Sequence, residues 1–203
     1  MGTVTSLDQH RCRRSQRRAG ARQVAQATLF FDLASPYTYL AAERAERLFA
    51  GLEWRPASSQ ILCRGELDAD GLRAAADRAR LLGLPLVWPD PPYRAIGAMR
   101  VASLAAERGR GGAFVLAASR LAFCGGYDVD DPEILAEAAA AAGIDLGDAL
   151  RAAGDVSRDG PIEAAGRLLL AAGAQRLPAL RIGRQLFCGE DRLGEGAVAR
   201  TAV

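Results

Sequence analysis

The apolar positions follow two different periods along the chain. Ala27–Leu33 is a short apolar run, rich in aromatics and leading into a turn, and predicts a strand. Ser35 and Pro36 follow, with a helical run over residues 37–50. Serine at the N-cap and proline at the first helical position form a standard helix start, and Gly51 stops the helix. Leu52–Pro56 predicts a second strand, so this opening reads as a βαβ unit with parallel strands and a right-handed crossover. From Asp68 to Gly173 the apolar spacing becomes three and four, predicting helices near 68–82, 94–108, 113–123, 131–142, 145–152 and 160–172. Asp131–Pro132 is an N-cap and N1 pair. Strand character returns at Pro178–Ile182 and Gln185–Cys188, separated by Gly183–Arg184 as in a β-hairpin. A final helix begins at 189–193, with Glu190 and Asp191 in the first turn, where the helix dipole favours them. The element order is therefore βαβ, a helical block, then ββα.

Composition narrows the function classes. The 203 residues are half apolar with mean hydropathy near zero, which is ordinary globular composition and enough for a substantial core. No apolar run approaches the ~18–20 residues of a spanning helix, so no membrane partner is expected. The formal charge of +2 is uneven: residues 1–26 carry six arginines (Arg11, Arg13, Arg14, Arg17, Arg18 and Arg22) against Asp8. The remainder has 20 basic and 23 acidic residues, hence −3, with no lysine anywhere. A mildly acidic body argues against a nucleic-acid partner. Residues 1–26 have no apolar core for a secretory signal and are expected to be a basic, disordered arm, with an organelle transit leader as the alternative.

Cys12, Cys63, Cys124 and Cys188 form neither a Cys-x-x-Cys pair nor a metal-ligand spacing, which suits a reducing cytoplasm, and no metal is expected. The single histidine, His10, lies in the arm, which removes Ser–His–Asp, Cys–His and most zinc chemistry from the remainder. Cys63, Cys124 and Cys188 are expected as buried small hydrophobes, Trp54 and Trp88 as core or pocket walls, and Phe30 and Phe31 as core.

Three stretches carry a resemblance. Phe31-Asp32-Leu33-Ala34-Ser35-Pro36-Tyr37-Thr38-Tyr39-Leu40 resembles the Asp-x-x-Ser-Pro-x-x-Tyr-Leu opening of 2-hydroxychromene-2-carboxylate isomerases and kappa-class glutathione transferases. Leu86-Val87-Trp88-Pro89-Asp90-Pro91-Pro92 with Ala98-Met99-Arg100-Val101-Ala102 is similar to their proline-rich crossing and following helix. Leu177-Pro178-Ala179-Leu180 with Leu186-Phe187-Cys188-Gly189-Glu190-Asp191-Arg192-Leu193 is similar to their cis-proline strand and Gly-x-Asp-Arg-Leu turn.

The resemblance implies an α/β, DsbA-like fold: a thioredoxin-like core over 27–64 and 174–203, split by an all-helical insertion over 65–173. It further implies glutathione, or another low-molecular-weight thiol, as cofactor, a small aromatic substrate, and often a homodimer. Ser35 takes the catalytic position, where redox relatives carry cysteine; Leu177 and Pro178 pair with the cysteinyl part of the thiol; Glu190 and Asp191 meet its γ-glutamyl end.

The residues alone leave plainer readings open. Ser35 as a simple N-cap is worth about 1 kcal/mol, Pro178 reads as a strand-initial proline, and Asp191 as a helix-dipole charge. A serine hydroxyl at a helix start is nonetheless suited to donate to a thiolate without forming a disulfide. The chain departs from these relatives over Ser58–Gly65, where neither their lysine nor their asparagine appears and Arg64 is the available cation, and again at Tyr93-Arg94. Glu190 is a further departure, since its charge is expected to repel the ligand's carboxylate. The activity expected is a thiol-dependent isomerase of hydroxychromene carboxylates. The alternatives are a kappa-type transferase or peroxidase, a dithiol oxidoreductase disfavoured by the missing cysteine pair, and a non-catalytic thiol-binding module.

Overall fold

The computed structural model describes residues 26–62, 69–90 and 93–202. Residues 1–25, 63–68, 91–92 and 203 lie outside them, so Cys12, Cys63 and the candidate cation Arg64 are not placed. β1 (Ala27–Phe31) is buried at all five positions, which fits a strand covered on both faces. β2 (Glu53–Pro56) pairs parallel to it, β3 (Ala179–Ile182) antiparallel, and β4 (Gln185–Cys188) flanks β3, giving the order β2-β1-β3-β4. The register aligns Phe30, Ala179 and Cys188 across three strands. The end of β1, the start of β3 and the end of β4 therefore lie at one end of the sheet.

α1 (Pro36–Leu48) makes the parallel crossover. It stops two residues short of the expected span because Phe49 turns extended, at φ −134° and ψ 113°, and buries its ring. Between β2 and β3 come α2 (Ser59–Leu62), α3 (Ala69–Leu81), α4 (Ile96–Glu107), α5 (Gly111–Phe123), α6 (Pro132–Ala141), α7 (Leu146–Gly154) and α8 (Asp159–Ala171); α9 (Leu193–Ala202) closes the chain. Six of these match the expected helical spans to within two residues. α2 is not legible from the pattern, because four residues carry no period. Asp131 caps α6 as its motif predicts, accepting from the Glu133 and Ile134 N–H groups. α4 is capped from a distance: Ala95 precedes it in a left-handed conformation, and Asp130 accepts from the Ile96 and Ala98 N–H groups at 2.7 and 2.8 Å.

The fold is thus α/β, with a helix-rich insertion between the parallel and antiparallel halves of one sheet. Leu29 and Phe31 on one face join Tyr39 and Leu40 of α1 and Val101 and Phe114 of the insertion in one continuous core. Trp54 completes it edge-on to Phe31, with centroids 5.9 Å apart. On the other face Phe30 and Ala179 pack with Ala57, Leu177 and the α8 residues Ala165 and Leu169 in a smaller cluster. Gly166 permits this layer, since a Cβ there would stand 2.9 Å from the Ser58 carbonyl. Cys124 and Cys188 are half-buried free thiols rather than the fully buried hydrophobes expected of them, because each sits at the margin of a cluster. Among the described residues no helix is long and apolar enough to cross a membrane.

Candidate functional site

β1 delivers the chain into a turn that a few buried hydrogen bonds fix. The Asp32 carboxylate, 6% exposed, accepts from the Ala34 N–H at 2.9 Å and from the Ser59 N–H, beyond β2, at 2.8 Å. Thr38 donates back to the Asp32 carbonyl at 2.7 Å, and Met99 Sδ accepts from the Leu33 N–H at 3.3 Å. Asp32 and Met99 thus bind the turn to the strand-following loop and to α4. Ser35 emerges half-buried at the N-cap of α1, at φ −100° and ψ 124°. Its hydroxyl makes no capping bond and has no other partner among the described residues. The simple N-cap reading lacks its capping bond: among the described residues the hydroxyl has no partner, at the positive end of a 13-residue helix.

Across the sheet end, the Leu177–Pro178 peptide is cis. The Pro178 carbonyl accepts from the Gly189 N–H at 2.8 Å, tying the strand start to the turn after β4. Leu177 has a buried side chain, while its main-chain N–H and carbonyl find no partner among the described residues. Gly189 adopts φ 104°, and a Cβ there would collide with Asp191 Oδ1 and stand 2.6 Å from Arg176 Nη2. The positive φ is what favours glycine there, since the Asp191 and Arg176 side-chain ends could move aside.

The following pair of carboxylates is divided by burial. Asp191 is half-exposed and pairs with Arg176 at 2.9 Å. Glu190 is 2% exposed and holds Arg44 of α1 at 2.7 Å and Arg78 of α3 through its other oxygen. Its hydrogen bond to Arg78, followed by its charge, raises the Arg78 pKa. Glu190 is therefore not the bare, repelling carboxylate expected from its position; two guanidiniums leave this corner net positive. Tyr37 joins the two sides electrostatically. Burial raises its phenol pKa most; Arg176 lowers it, and Glu190 and Asp191 raise it further. Ser35, Leu177, Pro178 and Asp191 thus border one end of the sheet, with Glu190 behind them as a buried charge.

An aromatic group lies between α1 and the insertion. Phe123 stacks on Tyr39 at 6.3 Å and meets Tyr93 and Trp88 edge-on at 5.7 and 6.3 Å. Tyr39 accepts from Cys124 Sγ at 3.2 Å, and its phenol pKa is raised chiefly by burial and then by that bond. The Tyr93 hydroxyl is buried without a hydrogen-bond partner among the described residues; burial, then Asp130, Asp128 and Asp32, raise its pKa. Sequence reasoning gave no role to Asp32, Met99 or Arg78. Asp32, three residues before Ser35, and Met99 both fall within the stretches that carry the resemblance; Arg78 does not. Among the described residues no group of three or more His, Cys, Asp or Glu is placed to hold a metal ion.

Comparison with known proteins places this geometry. A model of the DSBA-like thioredoxin domain matches residues 26–195. No curated protein matches the chain. Among solved structures, a 2-hydroxychromene-2-carboxylate isomerase superposes with a TM-score of 0.70 at 20% identity, covering 87% of this chain and 95% of that one. A probable DsbA oxidoreductase from Streptomyces coelicolor gives 0.67 at 21% identity, over 88% and 90%. The cytosolic disulfide reductase DsbM from Pseudomonas aeruginosa, solved with GSH, gives 0.65 at 20% identity, over 87% and 96%. At these identities the superpositions speak to the fold. With the family model spanning most of its length, the chain belongs to the DsbA-like thioredoxin family.

Proposed function

We propose that this protein is a thiol-dependent isomerase, acting on 2-hydroxychromene-2-carboxylate-type aromatic compounds with glutathione or another low-molecular-weight thiol as cofactor. The observation that carries the reading is the free Ser35 hydroxyl at the start of α1, where dithiol enzymes of this fold need a cysteine. It has no Cys-x-x-Cys partner and no histidine beyond His10. The residues present fit a bound thiol. Ser35 donates to its sulfur, the helix N-terminus favours the thiolate, and the unpaired Leu177 main chain beside Pro178 offers one donor and one acceptor to a peptide-like cofactor. In this reading Asp191, now paired with Arg176, exchanges that partner for the cofactor's ammonium group, and the positive balance around Glu190 removes repulsion against a carboxylate.

The bound thiol supplies a nucleophile that adds reversibly to the conjugated substrate and is later expelled, so that rotation about the intervening bond becomes free. Ser35 acts by stabilising negative charge on sulfur at the start and the end of that cycle. Trp88, 37% exposed, and the half-buried Tyr93 supply an aromatic surface on the insertion side, backed by the buried Phe123.

The assay follows absorbance as purified protein interconverts the chromene and its benzylidenepyruvate isomer. Turnover is expected only with thiol present, and Ser35→Ala is expected to lower it by about a hundredfold, the scale of one lost charge-stabilising donor. Turnover without thiol, or undiminished by Ser35→Ala, overturns the reading. Net consumption of thiol would assign transferase chemistry to the same residues.

A further inference from the structure

A second cleft, of about 120 Å³, opens on the α8 side of the sheet between Phe30, Arg55, Arg181, Arg184, Leu168 and Leu186. Its Phe30 end adjoins Ala179 at the sheet end that carries the thiol site, and its Gly183–Arg184 end lies beyond the far end of β3. Gly183–Arg184 follows β3 whereas Pro178 precedes it, and a four-residue strand separates its ends by about 13 Å. The charge of this cleft is unmatched. Arg55 and Arg181 both stand over the Phe30 ring, with their Cζ atoms 6.0 and 5.1 Å from its centroid. Neither they nor Arg184 have an acidic partner among the described residues, and no carboxylate lines the cleft. Elsewhere Arg44, Arg78, Arg100, Arg120 and Arg158 each hold a carboxylate; Arg47, Arg94, Arg110 and Arg200 also lack an acidic partner among the described residues, but none of them lines this cleft.

Two guanidiniums over one ring repel each other, and the ring quadrupole offsets only part of that cost. An anion between them would relieve it. The adjoining surface is apolar: Leu168 is 62% exposed and Leu186 half-buried. A purely inorganic anion would leave that surface uncovered.

We propose that this cleft binds a small carboxylate with an apolar body, a single ring or a short acyl chain. The carboxylate lies between Arg55 and Arg181, with Arg184 at the rim, and the body lies against Leu168 and Leu186. The cleft is well below the ~300–1,000 Å³ of a drug-sized pocket, which limits the ligand to that size. The site is independent of the thiol chemistry proposed above.

The test titrates the full chain with sodium benzoate at constant ionic strength, following Phe30 ring and arginine Nε–Hε resonances by NMR, with sodium sulfate as the comparison anion. Saturable shifts at Phe30, Arg55 and Arg181 are expected with benzoate, at a dissociation constant near or below ~1 mM. Arg55→Gln and Arg181→Gln, both at exposed positions, should each weaken binding about tenfold. Leu168→Asn, which removes the apolar contact without adding charge, should weaken benzoate more than sulfate, and Ser35→Ala should leave benzoate binding unchanged. Sulfate binding as tightly as benzoate overturns the apolar half of the proposal. Absence of saturation, or benzoate shifts lost in Ser35→Ala but retained in Arg55→Gln, overturns the site.

Discussion

The turn that presents Ser35 and the turn that carries Glu190 face the same end of the sheet, yet different forces hold them. The first is fastened by short, directional hydrogen bonds: Asp32 to two main-chain N–H groups, Thr38 to a carbonyl, Leu33 to a sulfur. The second is fastened by charge. Glu190 is gripped by Arg44 and Arg78, which lie 146 and 112 residues away in sequence. Hydrogen-bonded geometry fixes where a hydroxyl points, whereas an ion triad sets the local potential and tolerates movement. The comparison suits a site in which Ser35 must aim at one atom and the opposite turn must favour an anion.

Removing Asp32 should break the first turn most severely. Asp32→Ala removes a buried carboxylate and leaves the half-buried Ala34 and Ser59 N–H groups without their acceptor, and we expect a loss of about 3 kcal/mol in urea-induced unfolding. A loss below ~1 kcal/mol would mean that the turn is held by packing instead. Glu190→Gln should cost about 2 kcal/mol. That is less than for a fully buried pair, because Arg44 and Arg78, at 23% and 31% exposure, can regain water. The two variants should also separate by salt: in ~1 M NaCl the Glu190 penalty is expected to shrink and the Asp32 penalty to persist. Equal salt responses would erase the distinction.

The smallest effect calibrates both turns with an ion pair outside them. Arg100 holds Asp159 through two hydrogen bonds, at 2.8 and 2.7 Å, and these lower the Asp159 pKa. A carboxyl depressed in the folded state stabilises the protein above its unfolded pKa and loses that contribution as pH falls through the folded value. Asp159→Asn should therefore cost about 0.5–1 kcal/mol at neutral pH, the range of a partly exposed pair. The gap between variant and parent should close in acid melts below the ordinary aspartate range. A gap unchanged at low pH would trace the effect to packing.

Much of this was legible in the sequence, for a physical reason. Helices α3 to α8 follow from apolar spacing because each buries one stripe, and β1 follows from its unbroken apolar run because both its faces are covered. The Ser35-Pro36 helix start and the Gly189 turn are local chemistry, so residue type reports them directly. Glu190 could not be read that way. Its meaning depends on Arg44 and Arg78, and nothing in the short window around residue 190 announces either. The same holds for Asp130, which caps a helix that begins 34 residues before it, and for the arginine cleft, which forms only when β1, β2 and β3 lie side by side.

The packing of the sheet gives the candidate site an unequal foundation. Ser35 rests, through Leu33 and Met99, on the large core that the sheet shares with the insertion. Leu177 rests on the small cluster beneath α8. The jaw that carries the hydroxyl is thus set in the thick part of the molecule and the jaw that carries the main-chain pair in the thin part. Loosening of the thin layer acts on Leu177 directly, and on the Ser35 turn only through the bond from Asp32 to the Ser59 N–H.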